Sequence, residues 1–420
     1  MNKKEIAEIR RRFSKSQATF SRLAGCYVDG QKNKVCTFNG PFLTLEDEEY
    51  YKYLEIAKKT LSGTLDNQLL NLDFPLDEER AGGHQQFLYG ILTSKLSEET
   101  LESWYDLVIE SYEHTGNYLI LLFLDSYDVP FKGADDLYSG ESNDVYTYML
   151  AAVCPVELSK AALGYIEEEK RIGSRIRDWV VHDPETGFLF PAFNARGTDI
   201  HSCLFYTKDT REPHREFMEK VLGCGAVRTT TEKKITFRNI VSEALGEDNE
   251  RNNDLILKLE SSLNDLNNQY EEAHDGEDVE RLSLAPEILS EALSDSGIPA
   301  EKAEKIGAKV QRAFADAEPP VEAVIDAREI RANEMRLERN ELLRTLNEKE
   351  RELKEIRERT ALDGGLAAGV SDDGFSVRIT VDEDRAERVR FDYIDGERYV
   401  LIPVEENESV AVNGEEAEEL

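Results

Sequence analysis

The residues with the clearest chemical potential in this sequence are arginines. The stretch KRIGSRIRDW, residues 170–179, holds Arg171, Arg175 and Arg177 inside a strongly acidic chain. Planar guanidinium groups bind carboxylate or phosphate through paired hydrogen bonds. If the segment is extended, alternate side chains face the same way, so Arg175 and Arg177 share one strand face. The spacing therefore predicts a surface that holds an anion.

Two further residues extend this predicted site. Arg196 and His201 follow in the sequence and supply another guanidinium and a titratable ring. With Arg171, Arg175 and Arg177 they form the candidate set of ligand-binding residues. The alternative is structural, with the arginines paired to acidic neighbours. Those neighbours are Glu167–Glu169, Asp178 and Asp199.

The sequence predicts no metal and no cofactor. Its histidines include no pair at helical i, i+4 spacing, and its cysteines include no Cys-x-x-Cys. His201 and Cys203 lie two residues apart on a predicted strand face, a pattern typical of a buried thiol beside a hydrogen-bonded histidine. Walker A, G-x-G-x-x-G and G-x-S-x-G patterns are missing as well. Spacing assigns no catalytic residue, so whether the protein is an enzyme stays open.

The acidity is uneven along the 420 residues, whose formal net charge is -35. Residues 1–245 carry a net charge of -10 and residues 246–420 a net charge of -25. Acidity of this size disfavours loose binding to nucleic acid and to anionic membranes. We therefore expect no membrane partner. A protein partner or an anionic ligand suits the local basic cluster, and nucleic acid remains a less favoured alternative.

The compartment follows from what the sequence lacks. Five cysteines in a chain of this length do not indicate a disulfide framework. The chain opens with the charged stretch MNKKEIAEIRRRFSKSQ rather than an apolar leader. Its longest apolar run, Tyr118–Leu124, is too short to cross a bilayer. We therefore expect a cytoplasmic protein.

Hydrophobic spacing predicts an α+β domain over residues 1–245. Cys26–Val28 and Val35–Phe38 flank a turn signal and predict a hairpin. Two apolar runs, Asn117–Val129 and Val145–Leu158, suit buried central strands. Because strands come in runs and are seldom separated by a single helix, the prediction is a mixed, largely antiparallel sheet with packed helices.

Beyond residue 245 the pattern changes to helices and then to a small β unit. Leucine stripes, Pro and Gly punctuation and alternating strands set the predicted boundaries. The segments are an acidic helical linker (246–283), a helix pair (284–318), a charged helix or helical hairpin (319–362), a Gly-rich linker (363–374), a small β unit (375–414) and an acidic tail (415–420).

Several long stretches occur together and in order. They are MNKKEIAEIRRRFSKSQATFSRLAGCYVDG, YLEIAKKTLSGTL, GNYLILLFLDSYDVP, RIGSRIRDWVV, GFLFPAFNARGTDIHSCLFYTK and YIDGERYVLI. They resemble the DUF4317 family, a bacterial domain of unknown function typical of Firmicutes. The resemblance covers most of residues 1–245 and returns at about 375–415, with the charged helix at 335–360 as an addition. It implies a bacterial cytoplasmic setting and no catalytic assignment.

Three functional hypotheses follow from these features. The leading one is a non-enzymatic binding or adaptor protein that recognises an anionic ligand or partner through the basic cluster. A second is an enzyme that handles a phosphate-containing substrate, such as a hydrolase or a nuclease-like protein. A third is an RNA- or ribosome-associated factor, which requires a one-sided basic face to override the net charge.

Overall fold

In the computed structural model, two compact units divide the chain, Met1–Glu334 and Met335–Leu420. The described residues are 1–14, 17, 20–132, 138–246, 250–274, 281–362, 389–394, 397–401, 411–412 and 415–416. The predicted Gly-rich linker and the predicted strand at 375–381 lie outside them.

Among the described residues, the first unit contains twelve strands, eight complete α-helices and the start of a ninth, α9, which continues past residue 334. The strands are β1 (Arg22–Val28), β2 (Lys34–Pro41), β3 (Leu69–Asp73), β4 (Asn117–Lys132), β5 (Tyr138–Leu158), β6 (Leu163–Ile166), β7 (Arg171–Ser174), β8 (Trp179–Val181), β9 (Thr186–Phe190), β10 (Ala192–Asn194), β11 (Gly197–Asp199) and β12 (Ser202–Thr207). The helices are α1 (Lys3–Arg12), α2 (Asp47–Thr60), α3 (His84–Thr93), α4 (Glu98–Ser111), α5 (Thr230–Leu245), α6 (Glu250–Ala273), α7 (Pro286–Asp295), α8 (Ala300–Ala313) and α9 (Ala327–Leu362).

One antiparallel sheet organises the N-terminal part of this unit. Its strand order is β2-β1-β4-β5-β9-β12-β3, and β8 pairs separately with the end of β5. Every described pairing within it is antiparallel. This confirms the predicted fold class: the sheet forms from hairpin-connected strands in sequence runs, with helices packed on it.

The central strands are buried on both faces. In β4, Leu119, Leu121 and Phe123 point to one face and pack with α1 and α2. Ile120 and Leu122 point to the other face and pack with α3 and α4. Because side chains alternate along a strand, a continuous apolar run supplies both cores at once.

The helices after the sheet build a third core. Phe237 and Val241 of α5 pack in it with Leu259 of α6 and Leu289 of α7. The stretch predicted as an acidic helical linker contains the helix α6, and Leu259 and Leu263 of its apolar stripe are buried. The predicted boundary after residue 245 falls at the end of α5, a helix that belongs to this core.

The second unit contains most of α9 and short strand pairs. Residues 335–354 of α9 are exposed along nearly all of their length. The helix is continuous to Leu362, so of the two predicted forms the single helix is observed and the helical hairpin is not. The strands are β13 (Arg390–Ile394), β14 (Glu397–Leu401), β15 (Ala411–Val412) and β16 (Glu415–Glu416). Among the described helices, none combines the length and apolarity that crossing a membrane requires.

Candidate functional site: an exposed arm and a histidine cleft

The structure divides the five predicted ligand-binding residues into two groups. Arg171, Arg175 and Arg177 lie beyond the end of β5, where β8 pairs with Val156–Leu158. Arg196 lies far from these three arginines, close to Tyr146, which is nearer the other end of β5. Its ion-pair partner Glu8 accepts a hydrogen bond from Tyr127, whose register partner is Tyr146. Twelve residues of extended strand separate Tyr146 from Leu158, a distance on the order of 35–40 Å.

Arg196 has a structural role at the end of the sheet opposite the other three arginines. It sits between β10 and β11 with a left-handed backbone, φ 57°. Its guanidinium is 2.9 Å from Glu8 Oε1 of α1 and ties this small hairpin to the first helix. The alternative interpretation of this arginine, pairing with an acid, is thus what the structure shows, although the acid is a distant one in sequence.

His201 lies at that same end of the sheet, in the turn before β12. Its Nδ1 is 2.8 Å from Glu79 Oε1, and this carboxylate raises the pKa of the imidazole. The ring is exposed, whereas the thiol of Cys203 is fully buried and contacts Cys224. The predicted pairing of His201 with Cys203 on one strand face therefore does not form, because the strand begins only at Ser202.

Residues 159–181, here called the arm, carry the first group of arginines. β6 and β7 pair as a separate two-stranded hairpin, and β8 returns the chain to the sheet. Three contacts close the base of the arm: the Ser159 amide to the Asp178 carbonyl (2.8 Å), the Arg175 amide to the Ala162 carbonyl (2.9 Å) and Arg177 Nε to the Ser159 carbonyl (2.6 Å). The arm is therefore a hydrogen-bonded extension of the sheet.

Within the arm, the predicted strand face of Arg175 and Arg177 is absent. β7 ends at Ser174, where its register with Leu163 of β6 ends, and β8 begins at Trp179. The two arginines lie in the irregular segment between these strands. Arg177 bends back onto backbone carbonyls, so the two side chains serve different purposes.

The three arginines of the arm differ in how their charge is used. Arg171 forms an ion pair with Glu169, as the structural alternative expected. Arg177 donates to the carbonyls of Ser159 and Leu158. The Arg175 guanidinium forms no hydrogen bond or ion pair with any residue that the structure describes, and it is exposed. Arg175 is therefore the arginine most available to a partner.

Large apolar side chains surround Arg175 in the sequence of the arm, and they face solvent. Ile176 is 83% exposed and Leu163 is 75% exposed. The others at or beside the arm are Leu158, Tyr165, Ile172, Trp179, Val180 and Val181. Apolar exposure concentrated in one short segment marks an interaction surface, whereas single exposed apolar residues are ordinary.

A second constellation centres on Tyr112, which sequence spacing did not indicate. The Tyr112 ring is stacked on His114, with centroids 5.6 Å apart, and lies 5.2 Å from the ring of His214. Its hydroxyl donates to Glu185 Oε2 at 2.9 Å. His114 Nδ1 is 3.6 Å from the same oxygen, and His214 Nδ1 is 3.0 Å from Glu216 Oε1. Two histidine–carboxylate pairs thus flank one buried phenol.

Three separate loops deliver these residues. Tyr112 and His114 follow the end of α4, Glu185 precedes β9, and His214 lies after β12 with a left-handed backbone, φ 53°. Burial raises the pKa of Tyr112, and the Glu185 charge adds to this. Burial opposes ionisation of Glu216, yet the hydrogen bond with His214, backbone hydrogen bonds and the attraction to the His214 ring together outweigh it and lower the pKa of that carboxyl.

A cleft of about 790 Å³ opens beside this cluster and is here called the histidine cleft. Besides Glu185 and His214, Lys208 and Arg211 line it. The remaining lining residues are Glu113, Asp209, Thr210, Glu212, Pro213, Arg215, Glu216 and Glu232. Arg215 is paired with Glu232 at 2.7 Å. The volume of the histidine cleft falls within the range of small-molecule sites.

Among the described residues, no group of three or more His, Cys, Asp or Glu side chains is arranged to hold a metal ion. All five cysteines are free thiols, and burial raises the pKa of Cys26 to about 12. Thiols with a raised pKa are poor nucleophiles and poor metal ligands at neutral pH.

Comparison with known proteins gives one family match. A model of the DUF4317 family, described as a domain of unknown function, matches residues 1–415. The match extends beyond the motifs recognised in the sequence, and its range includes the charged helix at 335–360. No curated protein and no solved structure matches the chain.

Proposed function

We propose that this chain, which belongs to the DUF4317 family, is a non-enzymatic binding protein that uses its arm to bind an acidic protein partner. One observation carries the proposal: the arm exposes Ile176, Leu163 and Trp179 together with Arg175, whose guanidinium has no ion pair or hydrogen bond to any described residue. Aromatic, aliphatic and arginine side chains are the residues that contribute most energy at protein interfaces. The proposal places the protein in the bacterial cytoplasm.

The architecture of the arm supports protein binding. Hydrogen bonds at its base hold the backbone, so binding orders few additional residues and costs less conformational entropy. Its two-stranded hairpin also has free edges, which can pair with a strand of a partner. The arm contains five cations and four acids, and this small positive excess, with the exposed Arg175, favours an acidic rim on that partner.

Site-specific photo-crosslinking in cells tests this function. A benzophenone amino acid at position 176 is expected to yield a discrete, protease-sensitive adduct, which Arg175→Glu abolishes. Leu76, which is 77% exposed but outside the arm, is the matched control position and should yield none. Equal labelling at positions 176 and 76 would refute the proposal, and a ribonuclease-sensitive adduct would favour the RNA-associated alternative instead.

A second function is supported by the histidine cleft. The paired carboxylates orient His114 and His214, an arrangement that suits general acid–base chemistry. Lys208 and Arg211 line the cleft without an ion pair to any described residue, so they can hold an anionic group such as a phosphate. This arrangement supports hydrolysis of a phosphate-containing substrate.

A phosphatase assay on the purified chain tests this second function. With p-nitrophenyl phosphate, the expected result is turnover that His214→Gln lowers by about 100-fold, the scale of acid–base catalysis. His274→Gln is the control, since His274 directly follows α6 and lies outside the cleft. Equal residual rates in the two variants would exclude a catalytic role for His214.

A further inference from the structure

The helical part of the first unit contains an apolar groove between α7 and α8. Its volume is about 650 Å³. Leu289 and Leu293 of α7 face Val310 of α8 across it, and Gly307 leaves room where a larger side chain would fill the gap. The other lining residues are Leu284, Pro286, Ser290, Ser294, Ile298, Ala300, Ala303, Glu304, Gln311, Phe314, Ala315, Glu318 and Pro319. We call this surface the groove.

The charged residues that line the groove have one sign. Among the residues that line it, the charged ones are Glu304 and Glu318. Two lysines of α8 outside the groove lining are paired: Lys305 with Glu301 at 2.8 Å and Lys309 with Glu243 at 2.9 Å. Arg228, whose guanidinium lies 5.4 Å from the centroid of the groove-lining Phe314 ring, donates to the Ala313 carbonyl. The groove therefore offers an apolar floor with an acidic rim.

The arm has the complementary character. Ile176 and Leu163 offer compact aliphatic side chains, and Arg175, next to Ile176 in the chain, offers a cation that has no ion pair to a described residue. A groove of this volume is of the size that holds a few such side chains. Apolar contact between matching shapes supplies affinity, while opposite charges on the rims select the partner and set its orientation.

The two surfaces do not satisfy each other within one chain. Both belong to the same compact unit, Met1–Glu334, and there the arm side chains are exposed to solvent. We propose that the arm of one copy docks into the groove of a second copy. This inference rests on the proposed function, because it names the arm's partner: another molecule of this chain.

Two-fold symmetry makes the contact closed. If the arm of each copy enters the groove of the other, the dimer contains two identical contacts and leaves neither surface free. The dimer should weaken as salt rises, because part of the attraction is between Arg175 and the rim acids Glu304 and Glu318.

The test uses the purified full-length chain alone. Analytical ultracentrifugation at increasing concentration up to about 100 µM should show a dimer. Ile176→Asp, which disables the arm, and Gln311→Arg, which places a cation at the groove, should each weaken dimerisation by at least about 30-fold. The controls are Leu76→Asp and Ala308→Arg, exposed positions outside the arm and the groove, and they should dimerise like the wild type.

Mixing the two disabled variants is the decisive step. Ile176→Asp retains an intact groove and Gln311→Arg retains an intact arm, so the mixture should form a heterodimer with one contact at concentrations where neither variant alone forms a dimer. A mixture that stays monomeric while the wild type dimerises would overturn the inference, because another surface would then hold the dimer. Circular dichroism confirms that both variants are folded.

The failures of the two proposals are distinguishable. A purified chain that remains monomeric, together with a cellular adduct from position 176 to a different protein, would overturn the second-copy inference and support the arm as a binding surface. Absence of both the dimer and the adduct would overturn both proposals. A small apolar molecule carried in the groove, seen as added mass in native mass spectrometry with no dimer, would also overturn the inference.

Discussion

Replacing Arg238 by leucine is expected to destabilise the helical core that carries the groove by about 3–5 kcal/mol. Arg238 of α5 donates from Nε to Glu260 Oε1 of α6 at 2.7 Å, and it also pairs with Glu329 at the start of α9. Glu260 is fully buried. Leucine keeps most of the packing volume but leaves this buried carboxylate without its counter-charge.

The pH dependence of the loss has a defined sign. Burial raises the pKa of Glu260 even in the presence of Arg238, so the folded state binds a proton more readily than the unfolded state does. Stability from this group is therefore greatest at low pH and decreases as pH rises from the unfolded value of 4.5 through the folded pKa. Without Arg238 the folded pKa rises further, so the decrease becomes larger and extends to higher pH.

Urea unfolding at pH values from about 4 to about 8 measures the effect. This range begins near the ordinary pKa of a glutamate and covers the titration of a carboxyl group whose pKa is raised. The double variant Arg238→Leu/Glu260→Leu should recover most of the loss, because no buried charge then remains. Lys309→Leu is the matched control: its pair with Glu243 is exposed and should contribute less than about 1 kcal/mol. If Arg238→Leu costs no more than Lys309→Leu, the reasoning is refuted.

Three further predictions concern the sheet and its ends. Tyr112→Phe removes the hydrogen bond to Glu185 and should cost about 1–2 kcal/mol in urea unfolding, since that carboxylate keeps some solvent contact; an unchanged midpoint would contradict it. Gly187→Ala should lower the melting temperature, because the added Cβ would lie 2.3 Å from the Ala151 carbonyl oxygen; an equal melting temperature would show that the strands can separate there. Relative to His201→Gln, the wild type should lose stability as pH rises above the unfolded pKa of 6.5, because Glu79 raises the folded pKa; a pH-independent difference would refute the pairing.

Local patterns were sufficient for the sheet. The run Tyr118–Leu124 predicted a strand buried on both faces, and alternation then placed its side chains in two cores. The hairpin of β1 and β2 and the late pair β13–β14 were likewise readable from alternation around turn residues. These features depend on neighbours in sequence, so periodicity contains them.

The candidate sites show where local patterns fail. Arg171, Arg175 and Arg177 were found as a basic cluster, but nearness in sequence wrongly grouped Arg196 and His201 with them. Consecutive strands of an antiparallel sheet run in opposite directions, so residues that are near in sequence can lie at opposite ends of the sheet. No local signal indicated the histidine cleft, because Tyr112, Glu185 and His214 come from three distant loops.

By itself, then, the sequence determined the composition of this protein's surfaces: an acidic chain, a two-faced apolar sheet core and a short segment rich in arginine and large apolar residues. Only the tertiary structure decided which charged side chains are already paired within the chain. Arg196 forms an ion pair with Glu8, Arg238 with Glu260 and Arg171 with Glu169. Arg175, in contrast, is exposed in a segment whose large apolar side chains are also exposed. The physical reason is that ion pairing and desolvation depend on distance in space, which a sequence does not contain until the chain has folded.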